Sequence, residues 1–150
     1  MPQSFACLYV HLIFSTKGRM DWIGEDWERD LAKYFAGVLR NQGYKLIESG
    51  GTANHVHLLF SMARQTNISN LVRDLKSNSS SWVHREFHAL KEFAWQAGYA
   101  AFSVSYSALD DVKRYIENQK EHHRTRTFQE EFLSFLEKHH IEYDPKYVFE

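Results

Sequence analysis

Residues 52–61, TANHVHLLFS, set His55 and His57 one residue apart inside an otherwise apolar run. With the side-chain period of a strand, Val56, Leu58 and Phe60 lie on one face, and His55, His57 and Leu59 lie on the other. Two imidazoles at i and i+2 point the same way about 7 Å apart, near enough to reach one divalent ion. The preceding residues 44–51, YKLIESGG, supply a second short strand, so the pair reads as a hairpin about a Gly50-Gly51 turn.

Upstream, residues 4–16 (SFACLYVHLIFST) alternate as a strand that puts His11 on the face opposite Val10, Leu12 and Phe14. Cys7, the only cysteine, reads within this pattern as a small buried hydrophobe. Residues 24–44 space Trp27, Leu31, Tyr34, Phe35, Val38 and Leu39 as a helix that stops at Gly43. Residues 67–90 repeat Ile68, Leu71, Val72 and Leu75 and then Trp82, Val83 and Phe87, a second helix weakened in the middle by a serine run. A fourth strand is expected at 98–105 and a third helix at 107–123, with Ser107 as cap and Asp110 completing a capping box. A last helix at 127–140 buries Phe128, Phe132, Phe135 and Leu136, and the aromatic tail 141–150 docks.

The order strand, helix, strand, strand, helix, strand is the ferredoxin-like βαββαβ, an α+β fold with one antiparallel sheet and strands one and three in its centre. If Val56, Leu58 and Phe60 face the first two helices, the histidines face the open side, with His11 beside them on the neighbouring strand. The chain of 150 residues, 43% hydrophobic and 25% charged, fits one domain, 1–150. No apolar run is long enough for a membrane span and no secretory signal is legible, so a cytoplasmic location is expected. A net charge of -1 excludes polyanion binding by bulk charge and leaves only local basic patches.

On the third helix Tyr115 and Gln119 share a face with Val112 and Ile116. His84, His88, His122, His123, His139 and His140 fall on helices and read as solvated or capping residues. Together, NHVHLLF (54–60), YIENQ (115–119), STKGR (15–19) and LKSNSSSW (75–82) resemble the single-tyrosine HUH transposases of the insertion-sequence 200/605 type over essentially the whole chain. The resemblance implies that Tyr115 is the nucleophile and that His55, His57 and Gln119 hold Mg²⁺ or Mn²⁺. It implies cutting and rejoining of single-stranded DNA at hairpin-bearing ends through a covalent 5′-phosphotyrosine. Many relatives carry an acid where this chain has Asn54.

The chemistry suits the parts. A cation neutralises charge that builds on the phosphoryl oxygens, and imidazole ligands also admit Zn²⁺, Co²⁺ or Ni²⁺. Lys17, Arg19, Arg73, Lys76, Lys113, Arg114 and Lys120, with Arg124 and Arg126, flank the site segments and are the candidate DNA contacts, while Trp82 and Trp95 are candidates for base stacking. The fourth strand is an unguarded edge, so a homodimer paired through it is expected, with the Tyr115 helix within reach of either subunit's histidines; the family resemblance implies that Tyr115 crosses to the partner. Two rivals remain: an HUH nickase of replication or conjugation, and a non-catalytic ferredoxin-like RNA-binding module.

Overall fold

The computed structural model describes residues 2–150. Its elements run β1 Tyr9–Ser15, α1 Glu28–Asn41, β2 Lys45–Thr52, β3 His55–Ser61, α2 Ile68–Glu86, β4 Ala100–Val104, α3 Leu109–Glu117, α4 Gln119–His122 and α5 Phe128–Lys138. The four strands form one antiparallel sheet in the order β2-β3-β1-β4, so β3 and β1 are central, as the βαββαβ order requires. None of the described helices is long and apolar enough to cross a membrane.

One face of the sheet carries the main core. Val10, Leu12 and Phe14 of β1 and Val56, Leu58 and Phe60 of β3 pack against Leu31, Phe35 and Leu39 of α1 and Leu71, Leu75 and Val83 of α2. The serine run does not break α2, because Ser79 is buried with its hydroxyl donating to the Leu75 carbonyl at 2.6 Å and accepting the Trp95 indole N–H at 2.9 Å. Trp95 and Trp82 are structural: Trp95 packs on Phe14 and Phe93, and Trp82 stacks on Tyr34.

The other face is covered as well. Ile13, Ala100 and Phe102 meet Phe128, Phe132 and Leu136 of α5, so the side expected to be open is a second, smaller core. The tail docks: the Glu150 carbonyl accepts from the Gly98 N–H at 2.8 Å, and Phe149 packs on Phe132.

Four local expectations are corrected. The strand begins only at Tyr9, and Cys7 is exposed: Cys7 lies one residue before Leu8, whose carbonyl accepts from the Met62 N–H at 2.8 Å. The hairpin turns at Ala53-Asn54, while Gly50 and Gly51 sit inside β2 opposite His57 and Val56. Gly50 is there for packing, since a Cβ would overlap the Ile116 carbonyl oxygen of α3. Ser107 lies in a 3-10 turn, Tyr106–Ala108, and does not cap α3; the helix expected over 107–123 breaks at Asn118 into α3 and α4.

Candidate metal and nucleophile site

The site lies where β1 and β3 meet α3, α4 and α5. His55 and His57 are fully buried, so they face a closed polar pocket rather than an open surface. His11 is buried beside them, and its Nε2 lies 2.7 Å from His57 Nδ1. Asn54 orients the first histidine: its Oδ1 accepts from the Thr52 hydroxyl at 3.1 Å and lies 2.8 Å from His55 Nδ1. An amide oxygen therefore does the orienting work that an acid would do at that position, without its charge.

Tyr115 and Gln119 straddle the break between α3 and α4 yet still point into the same pocket. Gln119 is buried, with Oε1 3.0 Å from His55 Nε2. The half-buried Tyr115 ring lies 5.9 Å from that of His57. Within this chain both lie beside the same chain's histidines. The reason is local: Gly50 lets the α3 backbone rest directly on its own β2.

The residue at the centre was not anticipated. Glu131 of α5 is buried, with Oε1 2.9 Å from His57 Nε2 and 3.6 Å from His55 Nε2. Its Oε2 accepts from the Tyr115 hydroxyl and, at 3.1 Å, from the Gln119 amide. His55, His57 and Glu131 present ligand atoms all within 4.8 Å of one another, a set that fits a metal ion. His123, expected to be solvated, also belongs here: its side chain is 10% exposed and its Nε2 lies 3.3 Å from Glu131 Oε1. In the sequence the only sign of Glu131 was an acid on the Phe128–Phe132 face of an otherwise apolar helix stripe.

Burial sets the charges. It pushes the His11 and His55 imidazoles down to about 3, helped in each by neighbouring His57. For Glu131 burial works against ionisation, but the His123 and His57 imidazoles beside it outweigh that and hold the carboxyl below the usual carboxylate range. Burial and the contact with Glu131 push the Tyr115 phenol up.

The candidate DNA contacts divide. Arg19 and Lys120, with Arg124 and Arg126, line a cleft of about 1020 Å³ that reaches Asn54 and His123. Arg19 is half-buried and donates to the Phe149 carbonyl at 3.2 Å, and Lys120 is bonded to Glu28 at 2.7 Å. Lys76 is committed elsewhere: its ammonium donates to the Gln96 and Gly98 carbonyls at 2.8 and 2.6 Å, far along α2. Arg73 lines the same separate groove. Lys17, Lys113 and Arg114 are exposed, and Arg114 is paired with Asp111.

A family model described as "Transposase IS200 like" matches residues 4–119. The chain belongs to this transposase family. The ISDra2 transposase TnpA of Deinococcus radiodurans is 27% identical over 117 residues, covering 75% of this chain and 84% of the relative. Among solved structures, a protein of Deinococcus radiodurans R1 described as a transposase superposes with a TM-score of 0.64 at 25% identity, over 79% of this chain and 98% of that one. A REP-associated tyrosine transposase bound to a REP hairpin shares the fold, with a TM-score of 0.57 at 12% identity over 79% and 70% of the two chains. The family match takes in His55, His57, Tyr115 and Gln119 and ends before His123 and Glu131.

Proposed function

We propose that residues 1–150 act as one transposase domain that cuts and rejoins single-stranded DNA at hairpin-bearing ends, with Tyr115 as nucleophile. The observation that carries this reading is the convergence of the Tyr115 hydroxyl and the buried His55–His57 pair on the single carboxylate of Glu131. Tyr115 Oη attacks phosphorus, and the phenolic proton passes to Glu131 Oε2, which already accepts its hydrogen bond. The bond from phosphorus to the 3′ oxygen breaks, and that oxygen leaves with the electron pair and takes a proton from water. A 5′-phosphotyrosine remains. Because its ester keeps the energy of the broken bond, a 3′-hydroxyl can reverse the step without ATP.

The residues fit a divalent cation. His55, His57 and Gln119 would hold it together with Glu131: His55, His57 and Glu131 bring ligand atoms within 4.8 Å of one another, and Gln119 Oε1 lies 3.0 Å from His55 Nε2. When bound, Mg²⁺ or Mn²⁺ neutralises charge on the phosphoryl oxygens. The cleft lined by Arg19, Lys120, Arg124 and Arg126 opens beside Asn54 and His123 and offers cations to a strand's phosphates.

An RNA-binding platform would need exposed aromatics on an open sheet face, and here α3–α5 cover that face. The hairpin-bound neighbour supports a DNA partner for the fold, and the free β4 edge supports a homodimer.

The test incubates the purified protein with single-stranded DNA from both flanks of its gene and divalent metal, and looks for a covalent adduct on a denaturing gel. Wild type should form the adduct, EDTA should suppress it, and Tyr115→Phe should bind DNA without forming it. An adduct mapped to Tyr106, Tyr143 or Tyr147 would reject the assignment. Mixing Tyr115→Phe with His57→Ala subunits should restore roughly a quarter of wild-type activity if the sites are shared across a dimer, and a mixture still inactive after verified exchange would show that each chain builds its own.

A further inference from the structure

Three imidazoles around Glu131 are held in the same way. His55 Nδ1 is tied to Asn54 Oδ1 at 2.8 Å, His57 Nδ1 to His11 Nε2 at 2.7 Å, and His123 Nδ1 to the Arg126 carbonyl at 2.8 Å. The Arg126 carbonyl can only accept, so His123 carries its proton on Nδ1 and turns an Nε2 lone pair inward, whereas His55 Nδ1 lies between the Asn54 oxygen and the Thr52 hydroxyl, 3.0 Å away. For His57, the atom placed to accept is His11 Nε2. The three Nε2 atoms lie 3.6, 2.9 and 3.3 Å from one oxygen, Glu131 Oε1. That pattern, with the outer nitrogen fixed by a protein acceptor and the inner one free, is how proteins prepare histidines for a metal.

His123 is the informative member. Its Nε2 is buried and has no hydrogen-bond partner, although it lies 3.3 Å from a carboxylate oxygen. A lone pair facing a carboxylate oxygen in a buried pocket is repelled unless something positive lies between them. Gln119 Oε1 lies 3.0 Å from His55 Nε2 in the same pocket. Nothing about His123 suggests a role in the core, because the adjacent His122 and His139 pack on aromatic rings while His123 meets His55 at 4.5 Å.

We propose that His123 and Glu131 are metal ligands alongside His55 and His57, making a three-histidine, one-carboxylate centre that takes Mn²⁺, Co²⁺ or Zn²⁺ in preference to Mg²⁺. Nitrogen donors favour the later first-row ions, and Mg²⁺ favours oxygen and retained water. Two of the ligands come from the segment after residue 119, beyond the family match, so α5 and the turn before it add to the site what β3 alone lacks. The carboxylate divides its oxygens, Oε1 toward the ion and Oε2 toward the Tyr115 hydroxyl, and so ties the metal to the nucleophile.

The inference rests on reading the pocket as a metal centre, but its test needs no DNA. Metal-free protein is titrated calorimetrically with Co²⁺ and separately with Mg²⁺, and the Co²⁺-loaded wild type is examined by proton NMR. Paramagnetically shifted, exchangeable imidazole N–H signals should number three, one for each ring whose Nδ1–H is held by a protein acceptor. Co²⁺ should bind more tightly than Mg²⁺. His123→Ala should remove one of the three signals and weaken Co²⁺ binding by at least about tenfold. Two signals in the wild type, or Mg²⁺ binding as tightly as Co²⁺, overturns the proposal even if the variant fails to fold. So does unchanged Co²⁺ affinity in folded His123→Ala. An inactive protein that gives three signals would reject the DNA reading and leave the metal centre standing.

Discussion

The two faces of this sheet are built on opposite principles. Toward α1 and α2, Phe14, Leu58, Phe60, Phe35 and Leu75 are fully or almost fully buried and contribute through removed area and close contact. Toward α3–α5, a thin apolar rim of Ile13, Phe102, Phe128 and Phe132 surrounds His11, His55, His57, Gln119 and Glu131. There the buried polar groups bond to one another, His123 Nε2 excepted, so deleting one strands its neighbour. Adjacent residues of β3, His57 and Leu58, thus belong to different kinds of interior. A face packed by shape tolerates conservative apolar exchange, whereas a face packed by donors and acceptors does not.

The sharpest way to break the comparison is to change one residue on each side. Leu58→Ala should cost about 2–5 kcal/mol in urea unfolding, as a buried leucine replaced by a methyl group does, and leave whatever protein remains folded able to bind metal. Tyr115→Phe should do the reverse: its ring still packs, the stability change stays near ~1 kcal/mol, and the adduct disappears. Equal stability losses in the two variants would show that the polar face carries as much of the fold as the apolar one.

Acid separates the faces next. In the metal-free protein His11 and His55 are held at about 3, against about 6.5 in the unfolded chain. Between those values the unfolded state binds more protons, so this contribution to stability is complete above pH ~6.5 and is lost as pH falls toward 3. Glu131, also held below its ordinary range, adds a loss of the same sign at lower pH. Urea midpoints measured in EDTA should therefore begin to fall below pH ~6.5. A flat profile down to pH 4.5 would mean that the imidazoles are not buried neutral.

The smallest of these effects sharpens the link between sheet and nucleophile. Gly50→Ala places a methyl group against the Ile116 carbonyl and must lift α3, at about 1–3 kcal/mol by the usual cost of overpacking. Since α3 carries Tyr115, adduct formation should drop further than the stability change alone explains. The measurement pairs a urea melt with single-turnover adduct kinetics.

The sequence by itself determined the alternating strands, the main helices and the sheet order, because period-two and period-3.6 apolar patterns are local and the crossover rule then leaves few topologies. It also marked His55, His57, Tyr115 and Gln119, whose i+2 and i+4 spacings place each pair within one element or one turn. Only the tertiary structure decided the rest. Glu131 and His123 arrive from a segment whose own pattern says no more than amphipathic helix and turn, and their role follows from where α5 lands on the sheet. Gly50 and Gly51 look like a turn in sequence, and only the approach of α3 shows why the strand interior needs a residue without a side chain. Lys76 reads as a surface cation until the chain brings the Gln96 and Gly98 carbonyls to it. A side chain's chemistry is written locally, but its partner is chosen by contacts far apart in the chain, which no local pattern records.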